Sequence, residues 1–253
     1  MDDYERFWTA SRLTRLTQRR LTDRLAEHRP PAERIDPFTL PTAYHPLSRP
    51  ADRLRRWYVN RRSGRTFSRR PMSARTLGFV LDALSTTPDG RRAHPSAGGL
   101  NPLRCYPFLL NVRHPLNGHM TRYDPDRHAL QPVGPAPRWR DLAPLLGAPP
   151  DEQSPATALV FVLADGPVLA KYGQRGGRFG LIEAGAATQN IALRLSRHRL
   201  AGYLLGGTVD ADVLALIGLL DHPVRLAVVA VCGRPAGQSL SAATASISTS
   251  WSS

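Results

Sequence analysis

Apolar residues recur along this chain at two spacings, which divide it into helical and extended stretches. Residues 4 to 28 place Leu13, Leu16, Leu21 and Leu25 at mostly three- to five-residue intervals among arginines. That pattern predicts one basic amphipathic helix ending before Pro30-Pro31. In "MSARTLGFVLDALS", Leu77, Val80, Leu81 and Leu84 share a helical face, and Ser73 stands where a hydroxyl can cap the first turn. The longest helical pattern covers residues 178 to 198, "RFGLIEAGAATQNIALRLSRH". Its small residues Ala184, Gly185, Ala186 and Ala187 leave room for another backbone or a flat ligand. "DADVLALIGLL" predicts a short helix capped by Asp210.

The extended stretches read differently. "LRCYPFLLNV", "TALVFVLAD" and "VRLAVVAVCGRP" are continuous apolar runs expected of buried strands, and "LAGYLLGG" is a strand closing on a glycine pair. "HMTRYDPDRHALQPV" predicts two short strands about an Asp-Pro-Asp turn. The segment around Lys171 and Tyr172 is expected to be a loop or a helix start. Strands and helices interleave without a regular βαβ alternation, so the expected fold class is α+β. The expected organisation is a basic helix and proline-rich linker over 1–56, a main domain over 57–235, and a flexible Ser/Ala/Thr-rich tail over 236–253.

Composition narrows the function classes. With 253 residues, 42% hydrophobic and 21% charged, the chain has enough apolar mass for a sizeable core. No apolar run reaches the roughly 18 residues of a membrane span, and "MDDYERFW" lacks the basic and apolar regions of a signal peptide. A cytoplasmic protein with no membrane partner is expected. The net charge of +14 invites a polynucleotide, but the arginines are spread along the chain without a helix-turn-helix, zinc-finger or aromatic-basic motif, so no nucleic-acid partner is expected. An acidic peptide or a phosphorylated cofactor suits the same field. Cys105 and Cys232 are far apart, have no CxxC spacing and sit among strand-like apolar residues, which points to buried inert thiols and no metal site.

Several short motifs carry chemistry. "NRRSGRTF" gathers Arg61, Arg62, Ser63 and Arg65, whose guanidiniums and hydroxyl suit one phosphate, although a solvated basic loop has the same composition. "HPSAGGLNP" is a turn whose glycines admit a ligand close to backbone amides, without the spacing of a phosphate loop or dinucleotide fingerprint. Gln189 and Asn190 put two amides within an otherwise apolar helix, where they need partners from a ligand or another helix. Lys171 is the one lysine among 34 cationic residues. A lysine amine, unlike a guanidinium, can serve as a base.

Taken in order, "RRSxRxF", "PSAGGLxP", the "YDP" hairpin, "KYxxRxxRFxxxEAGxxxQN", "GG" and a terminal "GRP" resemble the nitroreductase-like flavoproteins. More narrowly they resemble the SagB-type azoline dehydrogenases, which accompany thiazole- and oxazole-forming cyclodehydratases. The resemblance covers about residues 57 to 235. It implies a nitroreductase-like fold with a central mixed sheet flanked by helices, FMN as cofactor, and a homodimer with two flavins at its interface. It further implies that Arg61, Arg62, Ser63, Arg65 and Arg234 hold the phosphate and ribityl chain. Pro95, Ser96, Ala97 and Gly98 would lie along the isoalloxazine, from the other subunit. Gln189 and Asn190 would sit near the ring, Gly206 and Gly207 would offer backbone amides, and Lys171-Tyr172 would be the catalytic pair. The implied substrate is an azoline-containing precursor peptide, with a cyclodehydratase complex as a further partner. Two positions depart from the pattern: Asn101 stands where the branch often has tyrosine, and Ala186 where it often has histidine. A nicotinamide-dependent nitro- or quinone reductase and a non-catalytic scaffold of a cyclodehydratase remain alternatives.

Overall fold

The computed structural model describes residues 2–27 and 52–236. The proline-punctuated linker and the tail lie outside the described residues. In chain order the helices are α1 (Asp3–Ser11), α2 (Arg15–Glu27), α3 (Arg53–Asn60), α4 (Ala74–Leu81), α5 (Trp139–Leu142), α6 (Gly166–Tyr172), α7 (Gly176–Arg197) and α8 (Asp210–Leu216). The strands are β1 (Met72–Ser73), β2 (Leu103–Leu109), β3 (Val112–Arg113), β4 (His119–Asp124), β5 (Ala129–Pro135), β6 (Thr157–Leu163), β7 (Ala201–Leu205) and β8 (Arg225–Gly233).

Six strands form the central sheet in the order β5-β4-β2-β6-β8-β7. Every pairing in it is antiparallel, which corrects the mixed sheet expected from the sequence. Parallel pairing is confined to the two-residue β1–β3 ladder. Each strand that follows a helical excursion, β6, β7 and β8, pairs only with oppositely directed neighbours.

Strand β6 explains the layering. All seven of its residues are buried, because alternate side chains enter two different cores. Ala158, Val160 and Val162 pack with α5, α8 and β7 on one face. Leu159 and Phe161 pack with α4 and with Ala187, Ile191 and Leu195 of α7 on the other. A strand covered on both faces reads as a continuous apolar run, which is the pattern "TALVFVLAD" presents.

The expected capping of α4 is present, with Ser73 Oγ accepting the Thr76 N–H at 3.1 Å. The single N-terminal helix is not. The chain breaks after Ser11, where Arg12 is extended, and α2 restarts behind a reciprocal cap in which Thr14 and Thr17 each accept the other's backbone N–H. Helix α1 is docked on the body: Tyr4 and Trp8 are buried against Leu163, and the Tyr4 hydroxyl donates to Asp165. A Cβ at Gly177 would lie 1.9 Å from the Tyr4 ring, so this contact depends on glycine. Helix α2 buries no residue. Asp210 is the first residue of α8 rather than its cap; Val209 takes the cap position with no side-chain bond. No helix among the described residues is long and apolar enough to cross a membrane.

Candidate functional site

The "RRSGRTF" loop is held along the sheet-edge strand β7 and the end of β8. Gly64 N–H donates to Gly202 O at 3.1 Å, Ser68 N–H to Arg234 O at 2.9 Å, and Ala236 N–H to Thr66 O at 3.2 Å. A Cβ on Gly64 would come within 2.9 Å of Ala201 Cβ, so the close approach needs glycine. Phe67 anchors the loop by stacking on Tyr203 within the core, at 6.3 Å between ring centroids. The result is a cleft of about 370 Å³ lined by Arg61, Arg62, Ser63, Arg65, Gln189 and Tyr203. The Arg65 guanidinium lies 4.6 Å from the Tyr203 ring centroid, a cation–π contact that fixes its height over the cleft. Gly185 of α7 also faces the cleft, and nothing occupies the space where its Cβ would be.

A second cluster forms around the PSAGG turn. Pro95, Ser96, Ala97 and Gly98 lead into β2, and Ser96 Oγ accepts the Asn101 N–H at 2.8 Å to close the turn. Asn101 has φ 47°, a left-handed conformation that asparagine tolerates better than an aromatic residue does, which accounts for one departure from the motif. The pair Lys171-Tyr172 ends α6 rather than starting a helix, with Pro167 in the first turn. Its amine and hydroxyl both reach Gly98: a Cβ there would lie 2.6 Å from Lys171 Nζ and 2.7 Å from the Tyr172 hydroxyl. Tyr172 is steadied by an edge-on contact with Phe179, 5.1 Å between centroids.

Helix α7 joins the two clusters. Gln189 turns to the arginine cleft, whereas Asn190 donates to Ala93 O at 2.9 Å and ties the helix to the chain just ahead of the turn. The remaining candidates are placed elsewhere within the chain. Arg234 lines an adjoining cleft with Arg70, His198 and Arg199. Gly207 meets Gly147, and its carbonyl accepts from Gln18, while Gly206 leads into it from β7.

A model of the Nitroreductase family matches residues 58–234. The chain belongs to the nitroreductase family. A nitroreductase-like protein of Methanocaldococcus jannaschii is 27% identical over 172 residues, covering 66% of this chain and 85% of its own. A nitroreductase-like protein of Ralstonia eutropha JMP134 aligns in structure with a TM-score of 0.62 at 24% identity, over 79% of this chain and 90% of its own. A chain of the Escherichia coli microcin synthetase McbBCD complex, solved with truncated pro-MccB17 bound, aligns with a TM-score of 0.68 at 21% identity, over 90% of this chain and 96% of its own. These structural likenesses establish the nitroreductase fold. Family membership makes the protein an oxidoreductase and implies a flavin cofactor.

In this nitroreductase-family chain the fold adds residues that the motifs left out. Tyr203 of the edge strand β7 lines the cleft together with its neighbours Gly202 and Leu204. His94 and Glu183 form a buried pair behind the PSAGG turn, with Nε2 3.6 Å from the carboxylate. Neither Glu183 oxygen has a hydrogen-bond partner among the described residues. The two are 89 positions apart in the chain, and only the packing of the turn on α7 brings them together. Cys105 and Cys232 are fully buried, as the sequence suggested. Burial raises the Cys105 thiol far above its ordinary range and pushes Cys232 up to about 12, so neither supplies a thiolate.

Proposed function

We propose that this nitroreductase-family protein is an FMN-dependent dehydrogenase that oxidises azoline rings of a precursor peptide to thiazoles or oxazoles. The observation that carries the reading is the convergence of the Lys171 amine and the Tyr172 hydroxyl on Gly98 of the PSAGG turn. A nicotinamide-driven reductase has no use for such a base. The similarity in fold to a chain of a microcin synthetase complex with a pro-form bound supports a biosynthetic precursor as substrate and a cyclodehydratase complex as partner.

The arginine cleft fits FMN by its donor set and shape. Arg61, Arg62 and Arg65 with Ser63 would hold the phosphate and ribityl chain through charge-assisted bonds, and Gln189 would meet the polar edge of the ring. The open space over Gly185 suits a flat ring lying on α7. Within one chain the catalytic pair and the PSAGG turn form a cluster separate from this cleft, so a homodimer would complete each site with Pro95, Ser96, Ala97, Gly98, Lys171 and Tyr172 of the second copy. Helix α7 offers the contact: Ile182 is 64% exposed on the same side as Gly185 and Gln189.

When bound, FMN would supply the acceptor for the hydride that leaves the ring Cβ. Lys171 takes the Cα proton at Nζ, with the Tyr172 hydroxyl beside it to share the proton. Asn190 and the His94–Glu183 pair hold the turn against which both groups rest. Single-turnover flavin reduction by an azoline peptide tests the assignment. Fast reduction by NAD(P)H with no response to the peptide would assign a small-molecule reductase instead.

A further inference from the structure

We infer that Arg104 and Arg122 form a recognition site for an acidic side chain of the peptide substrate, set in a cleft between β2 and β4 apart from the flavin cleft. The inference rests on the peptide-dehydrogenase reading above. Strands β2 and β4 register at Phe108 and Met120, and among the described residues no further register pair forms toward Arg104 and Arg122. Pro107 has no N–H to continue the ladder, and beyond it the Thr121 hydroxyl donates to the Pro107 carbonyl at 2.7 Å; past this break lie two clefts of about 350 and 390 Å³, both lined by Arg104 and Arg122.

The charges in these clefts are unequally satisfied. Arg92 is paired with Asp126, and Arg127 with Asp124. Arg104 uses one guanidinium nitrogen on the carbonyls of Asn101 and Leu103, and has no carboxylate partner among the described residues. Arg122 has neither a hydrogen bond nor an ion pair there. Burial, and then the Arg122 and Arg92 charges, only partly offset by Tyr106 and Glu183, hold the Arg104 guanidinium below its ordinary pKa. A carboxylate placed between the two would relieve that repulsion and accept from both forks.

Position links the site to the chemistry. The first cleft includes His94, which precedes Pro95 of the PSAGG turn. The second includes Gly166 and Pro167, the start of the helix that ends in Lys171-Tyr172. Pro167 and Lys171 are about 6 Å apart along that helix. Tyr106, Val162, Leu219 and Pro223 give the second cleft an apolar wall against which an extended peptide can lie. A substrate held by an acidic residue here would therefore reach the turn and the base along either margin.

The test is fluorescence anisotropy of a fluorescein-labelled hexaglutamate peptide added to the flavin-loaded protein, with hexaglutamine as neutral control. Arg104→Gln/Arg122→Gln is compared with Arg19→Gln/Arg20→Gln, which removes the same charge from exposed positions on α2. The site predicts binding weakened about tenfold or more in the first variant, since a charge-assisted bond of this kind is lost at each arginine, and changed less than about twofold in the second. Equal weakening in both, or none in the first, would overturn it. Arg122→Gln alone, at an exposed position, keeps the comparison valid if the double variant fails to retain flavin. Binding needs neither an azoline nor turnover, so this outcome is separate from that of the dehydrogenase reading.

Discussion

Gly98 and Lys171 are in contact: a single added carbon on the glycine would fall 2.6 Å from the lysine amine. Gly98 also has φ 60°, a conformation that L side chains rarely adopt. The turn is thus shaped by two requirements at once, a left-handed backbone and an empty space for the amine. Gly98→Ala is expected to displace Lys171 from the turn, and is compared with the parent at equal FMN loading. Misplacing a reacting group by about 1 Å costs on the order of 100-fold, so peptide-driven flavin reduction should fall by about that factor. A rate within twofold of the parent would mean that the contact has no part in catalysis.

Arg65 stands over Tyr203 in the arginine cleft proposed for FMN. Arg65→Ala removes a charge-assisted contact of about 1.5 to 3 kcal/mol, which corresponds to about 10- to 150-fold weaker FMN binding. Equilibrium dialysis of FMN against the two proteins reads this directly. Unchanged affinity would move the phosphate to another group of arginines, of which the cleft holding Arg70, Arg199 and Arg234 is the nearest in composition.

Ile182 exposes 64% of its surface on the α7 face that carries Gly185 and Gln189. If that face is the dimer contact, Ile182→Glu places a charge in an apolar interface and should shift the protein toward monomer in light scattering. FMN content should fall with it, because the second copy completes each site. A dimer of undiminished stability would place the contact elsewhere.

Asp210 gives a pH dependence of defined sign. Burial, only partly offset by Arg12, raises its carboxyl from 3.8 to about 6. The folded state therefore keeps a proton that the unfolded state has released between about pH 4 and 6, and stability declines as pH rises through that window. Asp210→Asn removes the titration. At pH 7 the variant should be more stable by on the order of 1 to 2 kcal/mol, after allowance for solvent screening. At pH 4 the gain should vanish. Thermal melts at the two pH values check it, and an equal gain at both would refute the carboxyl as its source.

Legibility in the sequence followed the range of the forces involved. The buried strands, the length of α7 and the Ser73 cap rest on local periodicity and a single hydroxyl, so they could be read directly. The break between α1 and α2 was also local, written in Thr14 and Thr17, but the leucine spacing on either side masked it. That α1 docks by seating Tyr4 over Gly177, and that His94 meets Glu183, are tertiary facts with no signal at short range. Of the site, the motifs named the arginines, the turn and the Lys-Tyr pair by residue. The separation of arginine cleft and turn into two clusters required the fold, because it depends on which side of α7 each faces. The antiparallel sheet was hidden for the same reason, strand direction being set by long connections rather than by strand composition.

The central claim is that Lys171 removes the Cα proton of an azoline ring. Lys171→Arg keeps the positive charge at the turn in a chain that uses arginine at every other cationic position, and a guanidinium cannot release its proton to act as a base. The decisive measurement is single-turnover flavin reduction by an azoline peptide, followed by the loss of flavin absorbance in parent and Lys171→Arg proteins loaded to equal FMN content. The account predicts a fall within or beyond about 100- to 10,000-fold with an unaltered starting spectrum. Reduction at near the parent rate would contradict it and return the proton to Tyr172, another residue or water.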